Sequence, residues 1–268
     1  MSIKNNCKKN NLKKVYERES KFWDNQVTFS LKDEKDLLVD EDNLNELESF
    51  IFERLGDLRD KKVLDCGCGS GVLSTILAKR GALVSAFDIS SESTKLTKKR
   101  AEINGVGERV EVKVMPFEKL GYSDQCFDLV VGYFILHHID VTKGALELKR
   151  VLKDEGRAIF LENSSRNFLL MMARKLLTGR FGIPKHGSAD EIPLGNKDIK
   201  QMGKIFSEYK VHYKNFFFFR LLDEFIFKGK SKAVAKILKI LDVFFYKYLP
   251  LIRQFSYLQI AEFNKVKN

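Results

Sequence analysis

The sequence predicts an α/β protein with a doubly wound, mostly parallel seven-stranded sheet and a mainly helical cap. Three observations carry that expectation. Between Lys61 and Glu162, short apolar runs alternate with amphipathic stretches of helical length, the pattern of parallel strands joined by helical crossovers. The run Phe127 to Phe134 is nearly all apolar, as expected of a central strand covered by helices on both faces. Gly67, Gly69 and Gly71 occupy every second position where the first apolar run ends, a place where a buried strand must turn into a helix without side chains in the way.

Taken in order, residues 1–14 are rich in Lys and Asn with little apolar content and read as a frayed arm. Tyr16, Phe22 and Trp23 then interrupt a charged helical stretch. Leu44, Leu47, Phe50, Ile51 and Leu55 recur at helical spacing before Gly56. Val63 to Cys66 forms the first strand, Val72 to Arg80 a helix, Leu83 to Asp88 the second strand, and Ser91 to Asn104 a crossover helix opened by Ser91. Val110, Val112 and Val114 alternate as a third strand, and Phe127 to Phe134 is the fourth. A helix over Thr142 to Leu152 leads to a fifth strand at Ala158 to Glu162.

The alternation then stops. About 30 residues punctuated by Gly179, Gly182, Pro184, Gly187 and Pro193 precede a helix near Asp198 to Phe206, and this insertion is a candidate substrate cap. Val211 to Phe219 is expected as a strand, with the aromatic run Phe216 to Phe219 buried in it, and Tyr257 to Phe263 as the last strand. Ser231 to Tyr248 is a basic amphipathic helix. The resulting division is an N-terminal arm and leading helix (1–40), a ligand-binding α/β core (41–163), a cap insertion (164–194), a core continuation (195–220), a helical cap extension (221–254), and a last strand with tail (255–268).

Composition narrows the function classes. The 268 residues carry a net charge of +11, but residues 1–163 hold 27 Lys+Arg against 28 Asp+Glu, while residues 164–268 hold 20 against 8. The excess is C-terminal, which suits an anionic partner there or a solvated basic face. No apolar run is long enough for a transmembrane helix, and the start lacks a signal-peptide core, so the cytoplasm is the expected compartment. Four cysteines, Cys7, Cys66, Cys68 and Cys126, do not form a disulfide framework or a metal-ligand spacing, and no metal is expected.

The glycine turn carries the chemistry. It lets backbone N–H groups approach an anionic ligand group, a geometry shared by several nucleotide sites. The dinucleotide fingerprint requires a glycine where this chain has Val72, which disfavours NAD. Asp65 at the first strand's end would repel a pyrophosphate and suits an ammonium. Asp88 ends the second strand, where a carboxylate can accept hydrogen bonds from ribose hydroxyls.

At these residues the sequence resembles the class I S-adenosylmethionine-dependent methyltransferases, a Rossmann-like family, and within it the small-molecule group with a lid after the fifth strand. The resemblance runs from Val63 to Glu162. It includes Leu64-Asp65-Cys66-Gly67-Cys68-Gly69, Phe87-Asp88-Ile89-Ser90, Phe127-Asp128-Leu129-Val130-Val131 followed by Leu136-His137-His138-Ile139, and Arg150-Val151-Leu152-Lys153; Asp190 to Leu194 is similar to the lid segment. The resemblance implies S-adenosyl-L-methionine as cofactor, held by Asp65, Gly67, Gly69, Gly71, Asp88, Phe117 and Tyr133, with Tyr133 at the methionine part. One departure is Pro116, followed by Phe117 and Glu118, where many relatives place an acidic residue for the adenine amino group; the Phe117 backbone and ring are expected to serve there.

Methyl transfer from a sulfonium depends on in-line positioning, and a general base is optional. His137 and Glu162 are the candidate catalytic residues, His137 as a proton acceptor and Glu162 as a group bonding the acceptor or capping the next turn. His138 reads as the more structural of the two adjacent histidines, and His186 and His212 as surface or loop residues. The acceptor implied is a small, partly apolar molecule with an O, N or C nucleophile. In the segment 231–248, Lys232, Lys236 and Lys239 accompany Ile237, Ile240, Leu241, Phe244 and Tyr248, a stripe that either docks on the fold or contacts an anionic membrane. Two alternatives differ in class. A nucleic-acid methyltransferase fits the basic C-terminal third but not Gly132-Tyr133-Phe134-Ile135 after the fourth strand. A non-catalytic binding protein on the same fold is disfavoured by the retained Asp65, glycines and Asp88.

Overall fold

The computed structural model describes residues 16–25, 34–177, 193–206, 208–223, 227 and 230–266. Residues 16–25 form a first helix, α1. It is followed by α2 (Glu46–Leu55), β1 (Lys62–Cys66), α3 (Val72–Lys79), β2 (Leu83–Asp88), α4 (Ser91–Ile103), β3 (Val110–Val114) and β4 (Phe127–Tyr133). The chain continues through α5 (Val141–Val151), β5 (Leu152–Asn163), α6 (Phe168–Leu177), α7 (Asn196–Ile205), β6 (Glu208–His212), α8 (Phe219–Leu222), α9 (Lys232–Tyr248) and β7 (Leu258–Asn264).

The strands form one seven-stranded sheet in the order β3-β2-β1-β4-β5-β7-β6. The first five run parallel, and β7 is antiparallel to both β5 and β6. The chain order reverses between β1 and β4, and ligands bind at such a switch point on the carboxyl edge. Alternate residues of β1 explain the two helical layers. Val63 packs with Leu47 and Ile51 of α2 and with Ile76 and Leu77 of α3. Its neighbour Leu64 packs in the opposite cluster, with Ala145, Leu148 and Val151 of α5 and with Ile199 and Met202 of α7. Each large apolar side chain so buried contributes about 1.5 to 3 kcal/mol. The expected fold is therefore the observed one.

Helix starts follow side-chain chemistry. Asn45 and Glu48 form a reciprocal capping box on α2, and Asp140 accepts from the Lys143 N–H at α5. At α4 the capping oxygen belongs to Ser90, which accepts from the Ser93 N–H at 3.0 Å, one residue before the expected Ser91.

Three elements depart from expectation. β5 begins at Leu152, directly where α5 ends, with a register irregularity against β4 and Glu155 at φ 63°. The insertion after β5 contains a helix, α6, while residues 178–192, including His186 and most of the lid-like segment, lie outside the described residues. β6 stops at His212, and Phe216 to Phe219 turns out of the sheet. Four successive aromatics in a strand would point to alternating faces; instead the buried Asp242 of α9 accepts from the N–H groups of Phe218, Phe219 and Arg220 and starts α8. The rings still pack: Phe216 stacks on Phe245 with centroids 5.9 Å apart.

His212 is also not the unassigned residue expected. Its Nε2 lies 2.9 Å from the buried Glu262 carboxylate, which is also gripped by Arg54 at 2.6 Å. Burial acts to raise the Glu262 carboxyl, but the hydrogen bonds from Arg54 and His212 outweigh it and hold it below its usual value. This cluster ties α2 to β6 and β7.

Candidate functional site

The turn from β1 to α3 is strained in the sense its glycines permit. Gly67, Gly69 and Gly71 have φ of 68°, 51° and 80°, in the left-handed region where a Cβ is unfavourable. At Gly71 a Cβ would also lie 2.6 Å from the Thr97 backbone, so this glycine serves close packing of α3 on α4. Three partners fix the loop. Asp88 Oδ2 accepts from the Gly69 N–H at 2.9 Å, Thr97 Oγ1 donates to the Gly69 carbonyl at 3.1 Å, and Arg100 Nε donates to the Ser70 carbonyl at 2.7 Å. The other Asp88 oxygen accepts from the Ser90 N–H at 2.9 Å. Burial raises the Asp88 carboxyl above its usual value, and backbone hydrogen bonds moderate the rise.

Beside this turn lies a cavity of about 300 Å³. Gly67, Gly69 and Asp88 form one side, Met115 and Phe117 an apolar end, and Tyr133, His138 and Ile139 the side beyond β4. The remaining wall is α1, which contributes Tyr16, Glu19 and Trp23. No residue of 164–194 or 221–254 lines the cavity among the described residues. Tyr16 donates its hydroxyl to Glu118 at 2.6 Å, and Trp23 meets the His138 ring edge-on at 5.7 Å. Desolvation first, and then the Glu118 carboxylate, push the Tyr16 phenol well above its usual value, so it stays a donor.

Of the residues the sequence singled out, Gly67, Gly69, Asp88, Phe117 and Tyr133 line the cavity. Gly71 lies behind the turn, in contact with Thr97. Asp65 is 1% exposed and turned under the turn, where Ser74 donates its hydroxyl to it, rather than toward a ligand ammonium. Burial pushes its carboxyl up to about 7, and the nearby Asp88 charge adds to the effect, while the Ser74 hydrogen bond opposes it.

The two histidines have exchanged their expected places. His137 Nδ1 sits 2.7 Å from Glu162 Oε2, with both side chains essentially inaccessible, and His138 lines the cavity. Glu162 Oε1 accepts from the N–H groups of Ile135 and Leu136 at 2.8 and 2.6 Å. Glu162 thus supports the bend after β4, where Phe134 adopts φ 55°, instead of reaching an acceptor. The reason is local geometry: residues 136–138 form a tight 3-10 turn that keeps the two rings in contact, with centroids 4.2 Å apart, while the buried carboxylate captures the first. Glu19 and Tyr16 carry no spacing signal linking them to this site, although Trp23 interrupting a charged helix was visible.

Residues 64–160 match the family model described as a methyltransferase domain. A ubiquinone biosynthesis O-methyltransferase from Bordetella parapertussis is 31% identical over 119 residues, covering 44% of this chain and 48% of the relative, so the match spans about half of that protein's length. The enzyme of the same name from Salmonella paratyphi A is 27% identical over 212 residues, 76% of this chain and 77% of the relative. Among solved structures, geranyl diphosphate C-methyltransferase from Streptomyces coelicolor superposes with a TM-score of 0.58 at 12% identity, covering 95% of this chain and 98% of that one. The glycine turn, the carboxylate ending β2 and the cavity beside them lie at the carboxyl edge of the sheet, the turn and the carboxylate within the residues 64–160 that match a methyltransferase domain.

Proposed function

We propose that the protein transfers the methyl group of S-adenosyl-L-methionine to an O, N or C nucleophile of a small, partly apolar acceptor. The observation that carries this reading is the glycine turn hydrogen-bonded to Asp88 and opening on an apolar-walled cavity. In it, Gly67 and Gly69 leave room for backbone contact, Asp88 accepts from the ribose hydroxyls, Met115 and Phe117 pack on adenine, and Tyr133 meets the methionine part. The bound cofactor supplies an electrophilic methyl. The chain's own contribution is positioning in an apolar-walled cavity, and proton removal, where the acceptor needs it, falls to His138 on the wall instead of His137. The names of the two curated relatives support a quinone-like acceptor; lipid-linked molecules and secondary metabolites share the same partly apolar chemistry. Calorimetric titration tests the reading: S-adenosylhomocysteine binds at micromolar to sub-millimolar affinity and NAD gives no heat, whereas the reverse pattern overturns it.

We propose further that segments 164–194 and 221–254 form one cap, and the surfaces of α6 and α9 support a peripheral contact with anionic membrane. The docked face of α9 consists of Leu238 and Asp242, flanked by half-buried Ala235, Leu241 and Phe245. The stripe Ile237, Ile240, Phe244 and Tyr248 faces outward, as do Lys232, Lys236 and Lys239. Leu251 is 83% exposed and Phe168 at the start of α6 is 74% exposed. No helix among the described residues is long and apolar enough to cross a membrane. Each lysine near an anionic surface adds about 1 kcal/mol of attraction. Co-sedimentation with anionic vesicles at low salt, lost at high salt and absent with neutral vesicles, is the expected result; no binding to anionic vesicles at low salt rejects the membrane contact.

A further inference from the structure

The cavity wall carries three carboxylates among the described residues, and they differ in how they are satisfied. Both Asp88 oxygens accept backbone N–H groups, from Gly69 and Ser90. Both Glu118 oxygens are engaged, one by the Tyr16 hydroxyl and one by the Asp140 N–H. Glu19, on α1, is 9% exposed, and its Oε2 is buried without a hydrogen-bond partner. Two basic side chains stand near it beyond hydrogen-bond distance: His138 Nδ1 lies 3.6 Å from Oε2 and Arg18 Nη2 lies 3.9 Å from Oε1. A carboxylate oxygen withdrawn from water in an apolar-walled cavity is costly unless a donor or cation completes it.

Asp65, the acidic residue of the glycine motif, is directed at Ser74 and is absent from the cavity wall. The cofactor's positive end therefore meets Glu19 as the carboxylate with an open acceptor. We propose that Glu19 is the counter-charge for the positively charged methionine end of S-adenosylmethionine, which makes α1 a part of the cofactor site. The inference rests on the cofactor reading above. The placement of Glu19 is enforced at both ends of its helix. Tyr16, Glu19 and Trp23 share one face at i, i+3 and i+7; Tyr16 is tied to Glu118, and Asp24 accepts from the Ser90 hydroxyl and the Glu92 N–H at the start of α4. Tyr133, on the same wall, has a buried hydroxyl that also lacks a hydrogen-bond partner, in place to donate to the methionine carboxylate.

Trp23 is the single tryptophan of the chain and lies on the cavity wall, so its fluorescence reports occupancy. The test titrates the full chain and Glu19→Gln with S-adenosylmethionine and with 5′-methylthioadenosine, which shares the adenosine and sulfur but has neither ammonium nor sulfonium. The expected result is at least tenfold weaker binding of S-adenosylmethionine by the variant, with less than a twofold change for methylthioadenosine and an unchanged melting temperature. Equal weakening of both ligands shows that Glu19 only maintains the wall and overturns the proposal, as does unchanged affinity for S-adenosylmethionine. A parent that binds neither ligand removes the cofactor reading itself, an outcome distinct from either.

Discussion

Replacing Glu162 by alanine lowers the stability of the folded chain by about 3 to 5 kcal/mol, the range for removing one partner from a buried charged network. The carboxylate is fully buried and holds three groups at once, the N–H groups of Ile135 and Leu136 and the His137 ring. Without it, the buried Leu136 amide is left unsatisfied at about 1 to 3 kcal/mol, the part-buried Ile135 amide loses its acceptor, and the bend after β4 loses its anchor. For a chain of this size the melting temperature falls on the order of 10 °C. Glu162→Gln retains an acceptor for the two amides and loses less. Thermal denaturation of the three proteins checks this, and an alanine variant melting within about 2 °C of the parent contradicts the supporting role. The same bend carries Ile135, His138 and Ile139 into the cavity wall, so the loss of stability is accompanied by weaker ligand binding.

Asp65 has an effect of comparable size and opposite sign. Its carboxyl is raised from the usual 3.8 to about 7 by burial, so the folded chain holds this proton more tightly than the unfolded one. Below about pH 4 both states are protonated and the residue costs nothing. Between about pH 4 and 7 the unfolded chain ionises first, and stability falls as pH rises; above about pH 7 the folded carboxyl is ionised too and the full penalty remains. At about 1.4 kcal/mol per pH unit, a shift of this size corresponds to roughly 4 kcal/mol. Asp65→Asn removes the titration while keeping an acceptor for the Ser74 hydroxyl. Urea denaturation across pH 4 to 8 is expected to show the variant close to the parent at pH 4 and more stable by up to about 4 kcal/mol at pH 8. A difference that does not change with pH contradicts the buried, proton-holding state of Asp65.

Both residues show where sequence reading succeeds and where it stops. Asp65, Asp88 and the glycines stand at strand ends, and strand ends follow from local apolar patterning, so their arrival at one edge of the sheet was legible. The direction of each side chain was not. Whether Asp65 faces a ligand or Ser74 depends on how α3 packs, and whether His137 or His138 faces the cavity depends on a 3-10 turn and a carboxylate 25 residues away. Phe216 to Phe219 misled for a related reason: apolar content signals burial, but the turn is set by Asp242, more than 20 residues further on. Glu19 was hidden because its neighbour His138 lies on a distant element, and a charged residue in a charged helix has no distinguishing pattern. The apolar stripe of α9 was visible in sequence, yet its outward orientation is a property of packing, since Leu238 and Asp242 occupy the docked face.

The central claim is that the glycine turn and Asp88 bind S-adenosylmethionine through its ribose and amino-acid parts. Calorimetry of the parent and of Asp88→Ala, each titrated with S-adenosylhomocysteine and with NAD, tests it most directly. The parent should bind S-adenosylhomocysteine at micromolar to sub-millimolar affinity and give no heat with NAD. Asp88→Ala should bind it more weakly by about 1.5 to 3 kcal/mol, the cost of losing hydrogen bonds to a charged group, or roughly 10- to 150-fold. Heat with NAD and none with S-adenosylhomocysteine, or an unchanged affinity in Asp88→Ala, would contradict it.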